Sequence, residues 1–192
     1  SEIQIFLENG PSFFLNLWMA ASKCMLAASD GINGSSLITA AGANGSRTGI
    51  QIAGLPGRWF VDHADPPKCK LDDNRLLKSR ALGAIGDSAI VDVLGFGAMA
   101  MNYAPEQQKN LQAFMPADGL SLPDRLLSIL HPGFGELNLK VGMLARTIVN
   151  DSGTPVISLG VLDAEGELGR LGGGIYSPPR SMFDDAVSAL SS

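Results

Sequence analysis

The run Ile85-Gly86-Asp87-Ser88-Ala89-Ile90, continued by Gly95-Phe96-Gly97-Ala98-Met99-Ala100, constrains this chain more than any other stretch. A glycine, then Asp-Ser, then an apolar run marks a helix start. Asp87 or Ser88 can accept hydrogen bonds from the first free backbone N–H groups. The apolar density predicts a largely buried helix over 88–101. Gly95 and Gly97 each cost up to about 1 kcal/mol against alanine in a helix interior. Their presence implies that a ligand or another backbone comes close. The same pattern also reads as a core helix with a good cap.

The rest of the chain can bury such a helix. Of its 192 residues, 45% are hydrophobic and 17% charged, which excludes a disordered chain. This length fits a single domain, 1–192. Net charge is −5 with no Lys/Arg run, so nucleic acid is not an expected partner. Asp87 and Asp92 interrupt the longest apolar run, which argues against a membrane span. The amino terminus carries Glu2 and Glu8 in place of a basic leader, so a cytoplasmic setting is expected. Cys24 and Cys69 have neither CxxC nor metal spacing and read as free thiols. His63 and His131 lack ligand spacing, and each reads first as a loop or structural histidine. No metal and no cofactor is expected.

The chain order predicts an α+β fold with a mixed or mainly antiparallel sheet. Residues 1–9 alternate weakly, as a strand or the tail of something longer. Ser12–Ser29 reads as a helix with Phe13, Phe14, Leu17, Trp18, Ala21, Met25 and Leu26 on a broad apolar face. Asn16 and Lys23 are two turns apart on it and share a side. Strands are expected over 35–41 and 48–54, joined at Asn44-Gly45, then at 58–61. Residues 62–84 read as a surface excursion. Helices are expected from Pro105 and, through Leu130, from Pro123. Strands are expected at 146–149, 155–163 and 171–176, and a final helix capped by Ser181.

Several ordered motifs resemble one bacterial family. They are Phe13-Phe14-Leu15-Asn16 with Met19-Ala20-Ala21 and Lys23, then Gly34-Ser35-Ser36, Asn44-Gly45, Gly49-Ile50, Gly54-Leu55 and Trp59-Phe60. After these come Gly86 to Ile90, Ala104-Pro105, Thr154 to Ile157, Gly169, Gly172-Gly174 and Pro179 with Phe183. Together they look like the carboxy-terminal half of the large proteins encoded beside carbamate kinase in allantoin-degradation operons. Those proteins are associated with oxamate carbamoyltransferase, also called oxamic transcarbamylase. The resemblance implies a subunit or domain of a carbamoyltransferase. Its substrates would be small ureido acids such as oxalurate, giving carbamoyl phosphate and oxamate. It also implies a homo-oligomer, and other protein subunits or a further amino-terminal half as partners. An exposed apolar patch is expected where that partner docks, and the chain alone is expected to be inactive.

Carbamoyl transfer needs anion pockets and donors aimed at a carbonyl oxygen more than acid–base groups. Asn16, Asn44 and Asp87 are the catalytic candidates. Ser35, Ser36, Arg47, Arg58, Gly86, Ser88, Gly172 and Gly173 are the substrate-binding candidates, for a small anion or phosphate. Asn44, Arg58 and the Gly86-Asp87-Ser88 helix start are expected around one cleft, with Arg170 outside it. Each residue also has a structural reading: Asn44-Gly45 as a turn, Arg58 covering its neighbours, Asp87 as a cap, the glycines as sheet packing. Two other readings stand beside this one. One is a non-catalytic ligand-binding or assembly domain. The other is a hydrolase using Asp87, Ser88 and His63 or His131, for which no nucleophile–base spacing is visible.

Overall fold

The computed structural model describes residues 1–10, 13–71, 80–130, 132–133 and 139–191. Its helices are α1 (Glu2–Asn9), α2 (Phe13–Ala27), α3 (Ala89–Leu94), α4 (Pro105–Leu111), α5 (Leu122–Leu126), α6 (Ala145–Asn150) and α7 (Ser181–Leu190). Its strands are β1 (Ile38–Asn44), β2 (Arg47–Ile52), β3 (Phe60–His63), β4 (Lys68–Leu71), β5 (Ile85–Gly86), β6 (Leu127–Leu130), β7 (Lys140–Met143), β8 (Ile157–Leu162) and β9 (Arg170–Tyr176). A 3₁₀ segment, Gly97–Tyr103, follows α3.

The strands form an antiparallel sheet in the order β3-β2-β1-β5, a second in the order β4-β9-β8, and the pair β6-β7. The fold is therefore α+β, as expected, with every described ladder antiparallel. The first hairpin is set by its turn. Asn44 Oδ1 accepts from the backbone N–H of Ser46 (3.2 Å) and Arg47 (2.8 Å) and from the Ser46 hydroxyl (3.1 Å). This side chain closes the turn locally, as asparagine does. Register then places Gly42 opposite Gly49 and Ile38 opposite Ile52.

Helix α3 is the hub. All six of its residues are buried, between the first sheet, α2 and β8. The core around it contains Ile38, Ile50, Ile52, Leu122, Leu126, Met143, Ile148 and Phe183. The helix is shorter than its apolar run predicts. Gly95 takes a left-handed conformation (φ +119°) and ends it, and the chain continues in the tighter 3₁₀ segment. The expected side-chain cap is also missing: neither Asp87 nor Ser88 caps it with a side chain, and their carbonyls accept from Ile90 and Val91 N–H instead.

Other expectations change. Residues 2–9 form a helix: the Ser1 hydroxyl accepts from Gln4 N–H, and Gln4 donates to Glu8 one turn on. Residues 145–150 form helix α6 in place of a strand. Its first N–H groups are received by Ser36, through its carbonyl (from Ala145, 2.8 Å) and hydroxyl (from Arg146, 3.4 Å). The Pro123 helix ends at Leu126, and Leu127–Leu130 pairs with β7 instead.

The described part of 62–84 is tied to the second sheet. Strand β4 pairs with β9, Cys69 is buried with Val161 and Leu171, and Arg80 makes a two-pronged bond to Asp163 (2.8 and 2.6 Å). This guanidinium, together with the Leu168 and Glu167 N–H groups, holds the Asp163 carboxyl well below the usual carboxylate range. At the far end, Ser181 opens α7 without capping it; its hydroxyl donates to Asp62. The Arg180 guanidinium donates to the Val149 and Asp151 carbonyls, which ties α7 to the end of α6.

Phe183 is fully buried in this core. Phe183→Ala is expected to lower unfolding free energy by about 3–5 kcal/mol, measured by denaturant titration.

Candidate functional site

Three concavities surround α3. The first, about 680 Å³, lies between the carboxyl side of α3, the 3₁₀ segment, α4 and the β8-β9 face. Ser88, Asp92, Gly97, Gln107, Asn110, Ser158, Arg170 and Gly173 line it, with Leu15 of α2 at its edge. Leu15 stands in helical register with buried Ser22 and Leu26, yet it is 42% exposed, because the cavity opens beneath it. The second, about 730 Å³, is an open groove lined by Asn44, Arg47, Trp59, Val61, Gly86 and Asp87. The third, about 400 Å³, holds Asn16, Lys23, Asp87 and Ile90.

Asp92 is the chemically distinctive group of the first cavity. It is 2% exposed. Its Oδ1 accepts from the N–H of Ala98 (2.7 Å) and of Ser158 (3.2 Å). Among the described residues it has no ion-pair partner, and no hydrogen bond reaches Oδ2. Burial in low dielectric penalises the charged form and pushes the carboxyl up to about 8; the two N–H bonds offset part of that cost. The local backbone is built around this carboxyl. A Cβ at Gly97 (φ +55°) would lie 2.4 Å from Oδ1, so position 97 admits no side chain without displacing the acid.

Arg170 supplies a cation to the same cavity. Gly160 and Gly173 face each other across β8 and β9. The Arg170 Nε and an Nη lie 3.8 and 3.6 Å from where their Cβ atoms would be. The glycine pair thus makes a flat floor under the guanidinium.

The expected cleft assembles in part. Asn44, Arg47, Gly86 and Asp87 share the second groove, but Arg58 and Ser88 do not line it. The Arg58 guanidinium lies over the Phe60 ring at 5.0 Å, and Ser88 lines the first cavity. Asn44 spends its side-chain oxygen on the turn. Helix α3 has six residues and its first N–H groups are taken by local carbonyls, so its start offers no anion site. Ser35 accepts from Leu37 N–H (3.4 Å) and Ser36 receives the start of α6, and neither lines the three concavities. Asn16 lines the third recess beside Lys23, whose Nζ donates to the Thr39 carbonyl (2.7 Å). Gly173 lines the first cavity, whereas Gly172 is a ladder residue between Leu71 and Val161. Arg170, expected outside the site, lines that cavity.

The hydrolase constellation does not form among the described residues. Exposed His63 lies 3.5 Å from Asp65 and lines none of the three concavities that hold Asp87 or Ser88. His131 lies outside the described residues. No group of three or more His, Cys, Asp or Glu could hold a metal ion among the described residues, and none of the described helices is long and apolar enough to cross a membrane. Asp92, Gln107, Asn110 and Ser158 escaped the sequence reading. The one available signal was a lone aspartate inside an otherwise apolar run, three residues before the first of two spaced glycines.

Read as a class, this is an α+β chain with a polar cavity that brings the Arg170 guanidinium and the buried Asp92 carboxyl together. Comparison with known proteins narrows that class. The family model described as oxamate carbamoyltransferase subunit AllG matches residues 1–88. The oxamate carbamoyltransferase subunit AllG of Escherichia coli K12 is 30% identical over 202 residues, covering 99% of this chain and 47% of that protein. The uncharacterised E. coli protein YahG is 29% identical over 197 residues, covering 97% of this chain and 41% of its own length. A crystal structure of a conserved protein of unknown function from Enterococcus faecalis V583 superposes with a TM-score of 0.84 at 26% identity, over 99% of this chain and 47% of that one. The chain is therefore similar to an oxamate carbamoyltransferase subunit along nearly its whole length. The chain spans about half the length of these relatives.

Asp92 makes stability depend on pH with a definite sign. Its folded-state affinity for the proton is raised, so its contribution is fully present below the ordinary carboxyl range near 3.8. It is lost progressively as pH rises through about 8. Denaturation midpoints should therefore fall across that window, and Asp92→Asn should flatten that part of the profile.

Proposed function

We propose that this chain is a component of a carbamoyltransferase that works on small ureido acids such as oxalurate, with phosphate, to give carbamoyl phosphate and oxamate. The observation that carries the reading is the 30% identity to an oxamate carbamoyltransferase subunit along 99% of the chain. The cavity chemistry supports it. Arg170 can pair with the substrate carboxylate, and Ser88, Ser158, Gln107 and Asn110 bring neutral polar groups suited to a ureido unit. Arg47 in the neighbouring groove is the candidate for a second anion, phosphate. The catalytic part assigned to Asn16, Asn44 and Asp87 by sequence passes to the residues of the first cavity.

In this reading the chain corresponds to one half of the relatives' architecture; its motifs resemble the carboxy-terminal half. It would act in the cytoplasm with partner subunits. Free Cys24 and Cys69 fit a reducing compartment. A non-catalytic assembly role has its own support. No residue of α1 is buried, and Ile3, Phe6, Phe14 and Leu17 are exposed, an apolar surface suited to a protein partner.

The chain incubated with oxalurate and phosphate, alone and with the other subunits of its assembly, distinguishes these readings. Carbamoyl phosphate is expected from the assembly and not from the chain alone. No product from either would favour the assembly role. Within the active assembly, Arg170→Ala should raise the oxalurate KM by roughly tenfold, in line with loss of a charged hydrogen bond. Arg58→Ala should leave it near the original value, since a surface cation on a ring is worth about 0.5–1 kcal/mol to local stability.

A further inference from the structure

We propose that Asp92 is the proton carrier of the transfer, handing a proton to the departing amide nitrogen and recovering one from the attacking phosphate. This rests on the carbamoyltransferase reading above and adds to it the group that moves the proton.

The geometry carries the assignment. Asp92 lines the cavity from its buried wall. One carboxyl oxygen is pinned by two backbone N–H groups that belong to the 3₁₀ segment and to β8. The acid therefore cannot rotate away, and among the described residues no hydrogen bond engages the second oxygen. The Gly97 backbone closes against the carboxyl and leaves no room for a competing side chain. Other charged groups near α3 lie away from this cavity. Lys23 donates to Thr39, Lys140 donates to the Asp124 carbonyl, and Asp87 faces the two other concavities. Among the described residues, Arg170 is the charged group that shares the cavity. Burial keeps the acid protonated near neutral pH, as a proton donor requires.

The step balances without a cofactor. A hydrogen phosphate oxygen attacks the terminal carbamoyl carbon of the ureido acid, forming a C–O bond. The C–N bond to the oxamyl nitrogen then breaks, and its electron pair stays on nitrogen. That nitrogen takes the proton from Asp92 Oδ2 and leaves as a neutral amide. The proton of the hydrogen phosphate returns to Asp92, and carbamoyl phosphate departs as its dianion. In the reverse direction Asp92 gives its proton to the departing phosphate oxygen and, as the carboxylate, recovers one from the oxamate amide that attacks carbamoyl phosphate.

The test measures kcat and KM in both directions, from oxalurate with phosphate and from carbamoyl phosphate with oxamate. It uses the complete assembly carrying wild-type chain or Asp92→Asn, across a pH range centred on about 8. The asparagine keeps the Oδ1 acceptor for Ala98 and Ser158 but cannot transfer a proton. The expected result is a fall in kcat of about a hundredfold or more in both directions, with KM for oxalurate little changed. Wild-type synthesis of carbamoyl phosphate should decline as pH rises through the Asp92 titration, and the variant should lack that limb. Should Asp92→Asn fail to fold, carbon-13 NMR of labelled aspartate in the wild-type chain decides. An Asp92 midpoint that coincides with the kinetic limb supports the assignment, and one that does not overturns it. An active wild-type assembly with an equally active variant overturns the role of Asp92 and leaves the function standing. A wild-type assembly that makes no carbamoyl phosphate overturns both.

Discussion

The structure hangs on one carboxyl oxygen. Asp92 Oδ1 receives N–H groups from two elements, the 3₁₀ segment through Ala98 and strand β8 through Ser158, while its own backbone belongs to α3. Three elements are thereby fastened at one point. A helix with no solvent face would normally carry apolar side chains all round. An acid there is costly unless its lone pairs are used. The fold uses them to join the second sheet to the central helix, and the cavity opens where those elements diverge.

Elsewhere, charge does the fastening at chain ends and crossings. Arg80 and Asp163 link the entrance to β5 with the β8-β9 turn. Arg125 holds Asp151, and its guanidinium keeps that carboxyl below the ordinary range; it also reaches Asp118 and the Ser121 hydroxyl. Arg180 donates to the carbonyls at the end of α6. Each joins segments far apart in sequence, so the short helices α5 and α6 are positioned by side-chain forks more than by their own length.

What the sequence made legible were features with local causes. Helix α2, the Asn44-Gly45 hairpin, β8, β9 and α7 follow from apolar periodicity and turn residues, and the structure has them within a few residues. The misses have non-local causes. Helix α6 starts because Ser36, 110 positions earlier, receives its first N–H groups. Strand β6 exists because β7 lies beside it, and β4 because β9 does. The 88–101 helix broke at Gly95, whose cost was visible but whose left-handed turn depended on the packing around Lys140 and Leu127. The site followed the same rule. Polar residues at turns and helix starts drew attention, yet Asn44, Ser35 and Ser36 are consumed by the backbone. Asp92 was legible as an anomaly in an apolar run; its part in a cavity required β8 and β9 to arrive from the other end of the chain. The resemblance carried by the ordered motifs agrees with the similarity to an oxamate carbamoyltransferase subunit, because it did not depend on which side chains met.

Helix α1 differs in kind from everything above. It has eight residues, none buried, and it touches α2 through the edge-on contact of Phe6 with Phe13, ring centroids 5.8 Å apart. So short a helix has little cooperative stability of its own. Its amide protons should therefore exchange with solvent at rates set by local fraying, while those of α3 wait for global opening. A protein seated on its apolar face would act on α1 as a ligand acts on a folding equilibrium, slowing exchange there by the full strength of the contact and leaving the core amides unchanged.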